Sequence, residues 1–431
     1  MTNVNEVKSS KLVEWTVKFR KLEFIQVLQR TMLILFPIVL VGSFADLLSN
    51  GVFSENGYIG SLVNIDNLPN FNFYHGVFSD VVNISTGWVA PYAAMVSAFL
   101  TTKRHSNEGI LGSLVALGSY VLMFYRDGGN NERYYGTDWF ILGVIVGYIV
   151  GRVFVRFGRD LWKGNNQNRE SILQIVLYNL RPIFFAIVPA LVLHIIFKVF
   201  GFFGVDDNIS QAVTSLVTQH SNYMINIAIS LIGTILTWVG FPDLIQISSR
   251  MYDNEALANL NYALTHKTSW GIPHPFTPSA LYNGFAKFGG LGVSLALLIA
   301  ILWVSRRKYM RRMADMTAIP VFFNIPGALT FGIGLTLNPI YLIPFVLLPI
   351  FNMLLASVVI YFHVIPQLVY PVSDLTPGIL TPLIGTGGNI YAFVFSLLLL
   401  VIDVMAYIPF VKLADVVDDQ LIAQQEGGKN A

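Results

Sequence analysis

The stretch Ile340–Phe362, IYLIPFVLLPIFNMLLASVVIYF, contains no Asp, Glu, Lys or Arg and is long enough to cross a membrane as one helix. A transmembrane helix needs roughly 20 predominantly apolar residues. Apolar runs of this kind recur along the chain and predict about ten crossings in total. These runs are Thr31–Leu48, Trp88–Thr101, Ile110–Tyr125, Trp139–Val155, Ile183–Phe203, Tyr223–Gly240, Gly289–Val304, Ile319–Leu337, Ile340–Phe362 and Tyr391–Val411.

The composition agrees with an all-α polytopic membrane protein. Hydrophobic residues make up 54% of the 431 residues and charged residues only 12%, about half the charged share of a typical soluble domain. The net charge of +2 does not suggest binding to nucleic acid. The absence of cysteine excludes disulfides, thiolate metal sites and a cysteine nucleophile. We expect no cofactor, no metal site and no catalytic residue within this chain.

The distribution of basic residues predicts the orientation. Lys and Arg accumulate before the first run and after the second, fourth and seventh runs, whereas Asn50–Thr86 contains neither. Because basic loops stay on the cytoplasmic side, the N-terminus should be cytoplasmic and Asn50–Thr86 should face outward. Asp46, near the outer end of the first run, is placed at the interface. Lys11–Arg30 is amphipathic and indicates an interfacial helix, with a soluble cap as the alternative.

The stretch Phe241–Phe288 has to provide a further crossing. The run that ends at Gly240 should finish inside, and so should Gly289–Val304, because the basic segment Arg306–Arg312 follows it. Yet the stretch between them contains several prolines and charged residues. Such backbone is tolerated at membrane depth only inside protein or beside a wet cavity, and transporters place substrate sites there. Pro371–Gly388 is similar, so we predict two re-entrant or broken hairpin elements.

Motifs in the second half of the chain carry a family resemblance. They are Phe276-Thr277, Gly289-Gly290-Leu291-Gly292, Phe323-Asn324-Ile325 with Phe331-Gly332, Asn338-Pro339-Ile340, Ile343-Pro344-Phe345, Thr376-Pro377-Gly378 and Tyr407-Ile408-Pro409-Phe410-Val411-Lys412. In this order they resemble the EIIC permeases of phosphotransferase systems, in the lactose, cellobiose and diacetylchitobiose family. The N-terminal half is similar in helix layout and only loosely in sequence.

The resemblance implies the membrane subunit of a phosphoenolpyruvate-dependent phosphotransferase system, in the bacterial plasma membrane. It would carry a sugar, such as a disaccharide, into the cell, where a separate phosphorylated EIIB subunit, served by EIIA, phosphorylates it. The resemblance also implies a homodimer. We expect an interfacial N-terminal helix (1–30), a dimerising membrane part (31–205), a substrate-binding membrane part (206–412) and a cytoplasmic polar tail (413–431).

Two positions depart from the pattern of this family. The family signature places a glutamate four residues after the Phe of Phe-Asn-Ile, where this chain has Gly327, and a histidine after a Trp-x-x-Gly-x run, where it has Pro242. A carboxylate accepts strong hydrogen bonds from hydroxyl groups, so losing it matters. The departures leave two alternatives open: a non-catalytic EIIC-like sensor or scaffold, or an uncoupled solute facilitator.

Five residues are the candidate sugar-binding groups: Asp243, His274, Thr277, Asn324 and Asp374. Ionisable groups at membrane depth favour function, and Thr277 belongs to one of the family-like motifs. Each of the others has a structural alternative. Asp243 could cap a helix beside Pro242, His274 could be a loop residue bonded to backbone, Asn324 could tie broken backbone together, and Asp374 could cap the residues after it.

Overall fold

The structure of the chain is a computed structural model that describes residues 11–105, 109–125, 134–158, 173–174, 177–202, 223–241, 254–277 and 279–427. The described residues are helical or irregular and include no β-strand, only one isolated bridge between Gly57 and Asp374. This confirms the predicted all-α class. In chain order the helices are α1 (Lys11–Arg20), α2 (Glu23–Asp46), α3 (Tyr58–Val63), α4 (Phe71–Ser85), α5 (Val89–Arg104), α6 (Gly109–Phe124), α7 (Phe140–Phe157), α8 (Leu180–Phe202), α9 (Tyr223–Val239), α10 (Asn254–His266), α11 (Ser294–Val304), α12 (Lys308–Phe322), α13 (Gly327–Ile333), α14 (Pro339–Tyr361), α15 (Thr381–Gly385) and α16 (Ile390–Gly427).

Six helical stretches of the described residues are long and apolar enough to cross a membrane. They are Glu23–Val52, Thr137–Phe157, Leu180–Val199, Ala280–Val304, Pro339–Tyr361 and Ile390–Gln424, with Gly109–Phe124 and Tyr223–Val239 as shorter apolar helices. These stretches coincide with runs read from the sequence and confirm a polytopic membrane protein, while the count of ten stays a prediction. The run Ile319–Leu337 is not one helix, because α12 ends at Phe322 and α13 begins at Gly327.

The chain forms two compact units. The first contains Met1–Lys21, Leu40–Val82 and Leu216–Ala431, and the second contains Leu22–Val39 and Asn83–Ser215. The stretch 50–86, which the sequence placed in an outer loop, contains the short helix α3 and the whole of the four-turn helix α4.

In the second unit, α5 and α7 pack along small residues. A Cβ atom added at Gly143 would overlap the carbonyl oxygen of Ala90, and one added at Gly147 would overlap that of Ala94. The four-residue spacing puts these residues on one face of each helix. Small residues allow the backbones of membrane helices to approach closely and gain dispersion contacts, where lipid leaves no hydrophobic driving force.

In the first unit, a continuous apolar core surrounds the π-helical segment Ser279–Ala286 and the helices α11, α14 and α16. Helix α14 begins where its sequence indicates, because the side chain of Asn338 accepts a hydrogen bond from the nitrogen of Ile340 and Pro339 occupies the first turn. Tyr407 of α16 donates a hydrogen bond to the carbonyl of Gly292. This bond ties the last helix to the glycine-rich turn before α11.

Charged residues join the two ends of the first unit. Arg20, at the end of α1, lies 2.6 Å from the carboxylate of Asp418, and Arg307 forms an ion pair with Asp419. Helix α1 buries Val13 and leaves Trp15 56% exposed. An exposed tryptophan beside a buried apolar face fits an interfacial helix, and that assignment remains a prediction.

Three breaks interrupt the helices of the first unit. The residues between α10 and the π-helical segment, those between α12 and α13, and those between α14 and α15 contain only irregular or turn structure among the described residues. The first lies in the stretch Phe241–Phe288, and the third begins before the stretch Pro371–Gly388 and overlaps it; in both stretches proline and glycine predicted broken backbone. The second break, around Asn324, was predicted as part of a continuous span.

Candidate functional site

Two of the breaks meet the glycine-rich turn after the π-helical segment. Asn324 has a left-handed backbone conformation with φ 63°, and its side-chain nitrogen donates a 2.7 Å hydrogen bond to the carbonyl of Thr376. A Cβ atom at Gly290 would lie 2.6 Å from ring atoms of Pro326, and one at Gly378 would lie 2.7 Å from the carbonyl of Lys287. The three segments approach this closely because glycine stands at both contacts.

A cavity of about 680 Å³ lies against these segments within the first unit. Ligand sites in proteins typically measure about 300–1,000 Å³. Its lining mixes apolar side chains with charged, amide and hydroxyl groups: Asp46, Asn50, Ala256, Leu257, Asn259, Leu260, Thr277, Ala280, Asn283, Lys287, Asn324, Leu368, Val369, Tyr370, Pro371, Val372, Ser373, Asp374, Leu375, Thr376 and Thr381. Such a lining can donate to and accept from a ligand rich in hydroxyl groups.

Three of the five predicted site residues line this cavity. Thr277, Asn324 and Asp374 come from three different segments of the chain and share its wall. Thr277 is 3% exposed, and its hydroxyl oxygen accepts a 3.3 Å hydrogen bond from the nitrogen of Ala280. The fold thus brings together residues that the sequence singled out separately.

The two polar atoms of the Asn324 side chain differ in their hydrogen bonding. Its side-chain nitrogen is committed to Thr376, so the residue ties two breaks together. Its side-chain oxygen is buried and has no hydrogen-bond partner among the described residues. A buried carbonyl left unpaired costs about 1–3 kcal/mol.

His274 does not line the cavity. Its backbone nitrogen donates a 2.9 Å bond to the side-chain oxygen of Asn259, and its carbonyl accepts a 2.7 Å bond from the side-chain nitrogen of the same residue. Its ring lies 3.6 Å from the carboxylate of Glu255 and is 44% exposed. This is the backbone-bonded loop histidine that the sequence left open. Asn259, which holds it, does line the cavity.

Asp374 is held through its backbone. Its nitrogen donates a 2.8 Å hydrogen bond to the carbonyl of Asn56, and its carbonyl accepts a 2.9 Å bond from the nitrogen of Tyr58. These bonds fix the third break against residues 56–58, at the start of α3. The side chain remains exposed, and its negative charge acts on Lys287.

Two charged residues of the cavity were not among the predicted site residues. Asp46 was assigned to the interface, yet it lines the cavity and accepts a 2.6 Å hydrogen bond from the side chain of Asn50. Lys287 also lines the cavity. A signal was present for both: Lys287 is the lone charged residue of Ala280–Val304, and Asp46 is the only acidic residue between Phe24 and Val52. Isolated charges in apolar spans favour function.

Three further positions were singled out from the sequence: Pro242, Asp243 and Gly327. Pro242 and Asp243 lie outside the described residues. Gly327 begins α13 and is not part of the cavity lining, although Asn324 three residues earlier is. Among the described residues, no group of three His, Cys, Asp or Glu side chains could hold a metal ion.

Comparisons with known proteins point to one family. The sequence model of the family described as "Phosphotransferase system, EIIC" matches residues 140–349. The lactose-specific EIICB component of Staphylococcus aureus strain N315 is 32% identical over 144 residues, which are 33% of this chain and 25% of that protein. The corresponding component of Staphylococcus haemolyticus strain JCSC1435 is 31% identical over 144 residues, which are 33% of this chain and 24% of that protein.

The chain therefore aligns with about a quarter of the length of these relatives. Among solved structures, the transporter ChbC, the IIC component of the N,N'-diacetylchitobiose-specific phosphotransferase system, covers 97% of this chain and 98% of its own, with 17% identity and a TM-score of 0.43.

Proposed function

Because the chain is related to the EIIC membrane components of bacterial phosphotransferase systems, we propose that it is a sugar permease of the plasma membrane. It binds a sugar in the cavity of the first unit and carries it into the cell. The apolar helices and the family make it a multi-pass membrane protein. The relatives are named lactose-specific EIICB components of a phosphotransferase system, so the sensor, scaffold and uncoupled-facilitator alternatives are not favoured.

The observation that carries this proposal is the polar cavity bounded by broken helices. Discontinuous segments are where membrane transporters place their substrates, because irregular backbone leaves peptide groups free to bind. Here a ligand-sized cavity is lined by residues from three breaks or their flanks. A sugar offers many hydroxyl groups, and the lining offers both donors and acceptors.

Within this proposal, Thr277, Asn324 and Asp374 contact the sugar, and His274 positions the wall through Asn259. Asp243 remains a candidate from the sequence alone. The hydrogen bond from Asn324 Nδ2 to the carbonyl of Thr376 also makes this residue a structural link between two segments of the cavity wall. Gly327 contributes no side chain, and the cavity lining supplies polar groups without it.

We infer that separate EIIB and EIIA components complete the system. The relatives are named EIICB components, and this chain spans about a quarter of their length. Phosphoryl transfer requires a group that carries the phosphate, and the cysteine that the family resemblance assigns to this task is absent from these 431 residues. In this proposal a phosphorylated EIIB component supplies that group at the cytoplasmic face.

The orientation and the division of labour are further parts of the proposal. We place the N-terminus in the cytoplasm because the basic residues cluster there. We assign dimerisation to residues 31–205 and sugar binding to residues 206–412, as a homodimer would require. The cavity lining supports extending the sugar-binding part to Asp46 and Asn50.

Uptake by reconstituted vesicles tests the proposal. The purified chain is placed in lipid vesicles with labelled lactose or cellobiose, with and without phosphorylated EIIB. We expect saturable uptake and, with EIIB present, a phosphorylated product inside. Loss of sugar binding in Thr277→Val, with binding kept in the matched variant Thr265→Val on the exposed side of α10, would tie transport to the cavity. If no sugar binds the wild-type chain, the proposal fails.

The orientation has its own test. Because the chain contains no cysteine, single substitutions Ser10→Cys and Glu55→Cys can be labelled without background. In intact cells, a membrane-impermeant thiol reagent should label the cysteine at position 55 and not the one at position 10. The reverse pattern would invert the assigned orientation.

A further inference from the structure

A buried polar pair lies in the core of the first unit, apart from the sugar cavity. Asn352 of α14 and Asp403 of α16 are both 0% exposed, and neither lines the cavity. The side-chain nitrogen of Asn352 donates a 2.8 Å hydrogen bond to one carboxyl oxygen of Asp403. Asp403 lies within the apolar stretch Ile390–Gln424. An acidic side chain at such a position is costly and favours a specific role.

No cation neutralises Asp403 among the described residues, since no Lys, Arg or His there lies within ion-pair distance of it. The helices α1, α11, α14 and α15 pack against α16. Helices α11 and α15 contain no ionisable residue, and α14 contains only Tyr341 and Tyr361. Helix α1 pairs with α16 through Arg20 and Asp418, about four turns beyond Asp403.

On α16 itself, the ionisable residue nearest to Asp403 in sequence is Tyr407, about one turn further along. The hydroxyl group of Tyr407 donates to the carbonyl of Gly292, and a phenol of this kind is uncharged near neutral pH. Buried members of the apolar core surround this part of the helix. The amide of Asn352 is therefore the polar partner of Asp403, and it is neutral.

The pair contains two acceptor atoms without a donor. The side-chain oxygen of Asn352 and the second carboxyl oxygen of Asp403 are both buried and have no hydrogen-bond partner among the described residues. An ionised Asp403 would hold a buried charge against a single neutral donor, which is unfavourable. A proton on its second oxygen removes the charge and makes that oxygen a donor, for which the free oxygen of Asn352 is the acceptor within the pair.

A proton fits this pair better than a metal ion or a water molecule. Mg²⁺ and Ca²⁺ take about six or more oxygen ligands, whereas the pair offers two free oxygen atoms. A water molecule would donate to both oxygen atoms and leave the negative charge of Asp403 in place. A proton supplies the missing donor and neutralises the charge in one step.

We propose that Asp403 and Asn352 form a proton-binding site in the membrane core, in which Asp403 is a neutral carboxylic acid. The carboxylate of the unfolded chain takes up one proton when α16 packs against α14, because an aspartate in water is ionised above about pH 4. The inference goes beyond sugar transport and does not depend on it, since the pair is separate from the cavity lining.

Infrared spectroscopy of the purified full chain tests the proton directly. A carboxylic acid has a C=O stretching band that a carboxylate lacks. We expect this band at about pH 6, where an exposed aspartate is ionised. Asp403→Asn should remove it, because the amide keeps a donor and an acceptor but has no acid group. Asp315→Asn, at an exposed position of α12, is the matched control and should leave the band unchanged.

A second variant ties the band to the pair and serves if Asp403→Asn does not fold. Asn352→Leu removes the donor from the acid carbonyl, so the band should move to higher frequency. A band that stays in place would show that the acid belongs to another residue.

The proton also predicts how stability depends on pH. Unfolding exposes Asp403 to water, so the wild type should release one proton more than Asp403→Asn. Stability falls with rising pH where the unfolded state binds fewer protons. Relative to the variant, the folding constant of the wild type should therefore fall about 10-fold per unit between about pH 5 and about pH 7. Reversible unfolding in detergent at several pH values measures the difference.

Two results would overturn the proton site. The first is an acid band of equal strength in the wild type and in Asp403→Asn. The second is a parallel pH dependence of their stabilities, which would mean that Asp403 is already ionised in the folded chain. Failure of the wild type to bind any sugar would remove the permease function and leave the proton site standing.

Discussion

The side-chain nitrogen of Asn324 lies 2.7 Å from the carbonyl oxygen of Thr376 and donates a hydrogen bond to it. The two residues belong to different breaks in the helices of the first unit, and both line the cavity. The bond closes one wall of the cavity. It also leaves the side-chain oxygen of Asn324 buried and without a hydrogen-bond partner among the described residues.

Replacing Asn324 by Asp tests this bond. Aspartate tolerates the left-handed conformation of the residue, but it places an oxygen instead of an N–H group opposite the carbonyl of Thr376. We expect the free energy of unfolding to fall by about 1–3 kcal/mol, because the carbonyl of Thr376 loses its donor. We also expect weaker sugar binding. Thermal unfolding in detergent and a binding isotherm measure the two effects. Asn72→Asp, on exposed α4, is the control, and equal melting temperatures would contradict the prediction.

Removing the side chain of Asn259 should loosen the loop around His274. Asn259→Ala deletes two hydrogen bonds to the backbone of His274, and each is worth roughly 1 kcal/mol. We expect faster amide hydrogen exchange in residues 268–277. His274→Ala should change exchange and sugar affinity little, because the ring is 44% exposed. Asn261→Ala, on the exposed face of the same helix, serves for comparison. A larger effect of His274→Ala than of Asn259→Ala would mean that the ring is the functional group.

The glycine at position 378 should not accept a side chain. A Cβ atom there would lie 2.7 Å from the carbonyl of Lys287 and 2.9 Å from the Cα of Phe288, and both contacts are to backbone. Gly378→Ala therefore has to push two segments of the cavity wall apart, and we expect it to lower the free energy of unfolding by about 1–3 kcal/mol. Gly136→Ala, a non-helical position whose only neighbour is 3.9 Å away, is the control. Unchanged melting and unchanged binding would show that the segments can separate freely.

The close contact between α5 and α7 in the second unit should likewise be sensitive to a glycine-to-alanine substitution. A Cβ atom at Gly147 would overlap the carbonyl of Ala94 and the hydroxyl of Ser97. Gly147→Ala should lower the melting temperature, since the helices have to separate and lose dispersion contacts. Gly118→Ala in α6, where the added atom meets nothing within 4 Å, should be neutral or stabilise by about 0.5–1 kcal/mol. Similar effects of the two substitutions would rule out tight packing at this crossing.

A buried polar pair joins α14 to α16. The side-chain nitrogen of Asn352 donates a 2.8 Å hydrogen bond to one carboxyl oxygen of Asp403. The side-chain oxygen of Asn352 and the second carboxyl oxygen of Asp403 are buried without a partner among the described residues. Asn352→Leu leaves the buried carboxyl group of Asp403 without its hydrogen-bond donor and should lower the free energy of unfolding by about 3 kcal/mol or more. The double substitution with Asp403→Leu should recover much of this loss, because it removes both buried polar groups. Thermal unfolding of the double-mutant cycle measures the coupling, and simple additivity would contradict it.

Local features of the sequence determined much of what is described above. Long apolar runs without charge predicted the membrane helices, because a helix in lipid has to satisfy its backbone internally and present apolar side chains. Prolines, glycines and charged residues in Phe241–Phe288 and Pro371–Gly388 predicted broken backbone for the same reason. Thr277 and Asp374 lie in these two stretches, whereas Asn324 was singled out because it belongs to the family-like motif Phe323-Asn324-Ile325.

The tertiary structure alone decided which residues share the cavity. Asp46 looks interfacial when only its own helix is considered, and Lys287 is one charge in an apolar run, yet both line the same cavity as Asp374. It also decided that His274 is held by Asn259 outside the lining, and that the run around Asn324 is interrupted. Periodicity and composition report the environment of a single segment. Contacts between segments hundreds of residues apart depend on how the helices pack, and no local pattern encodes them.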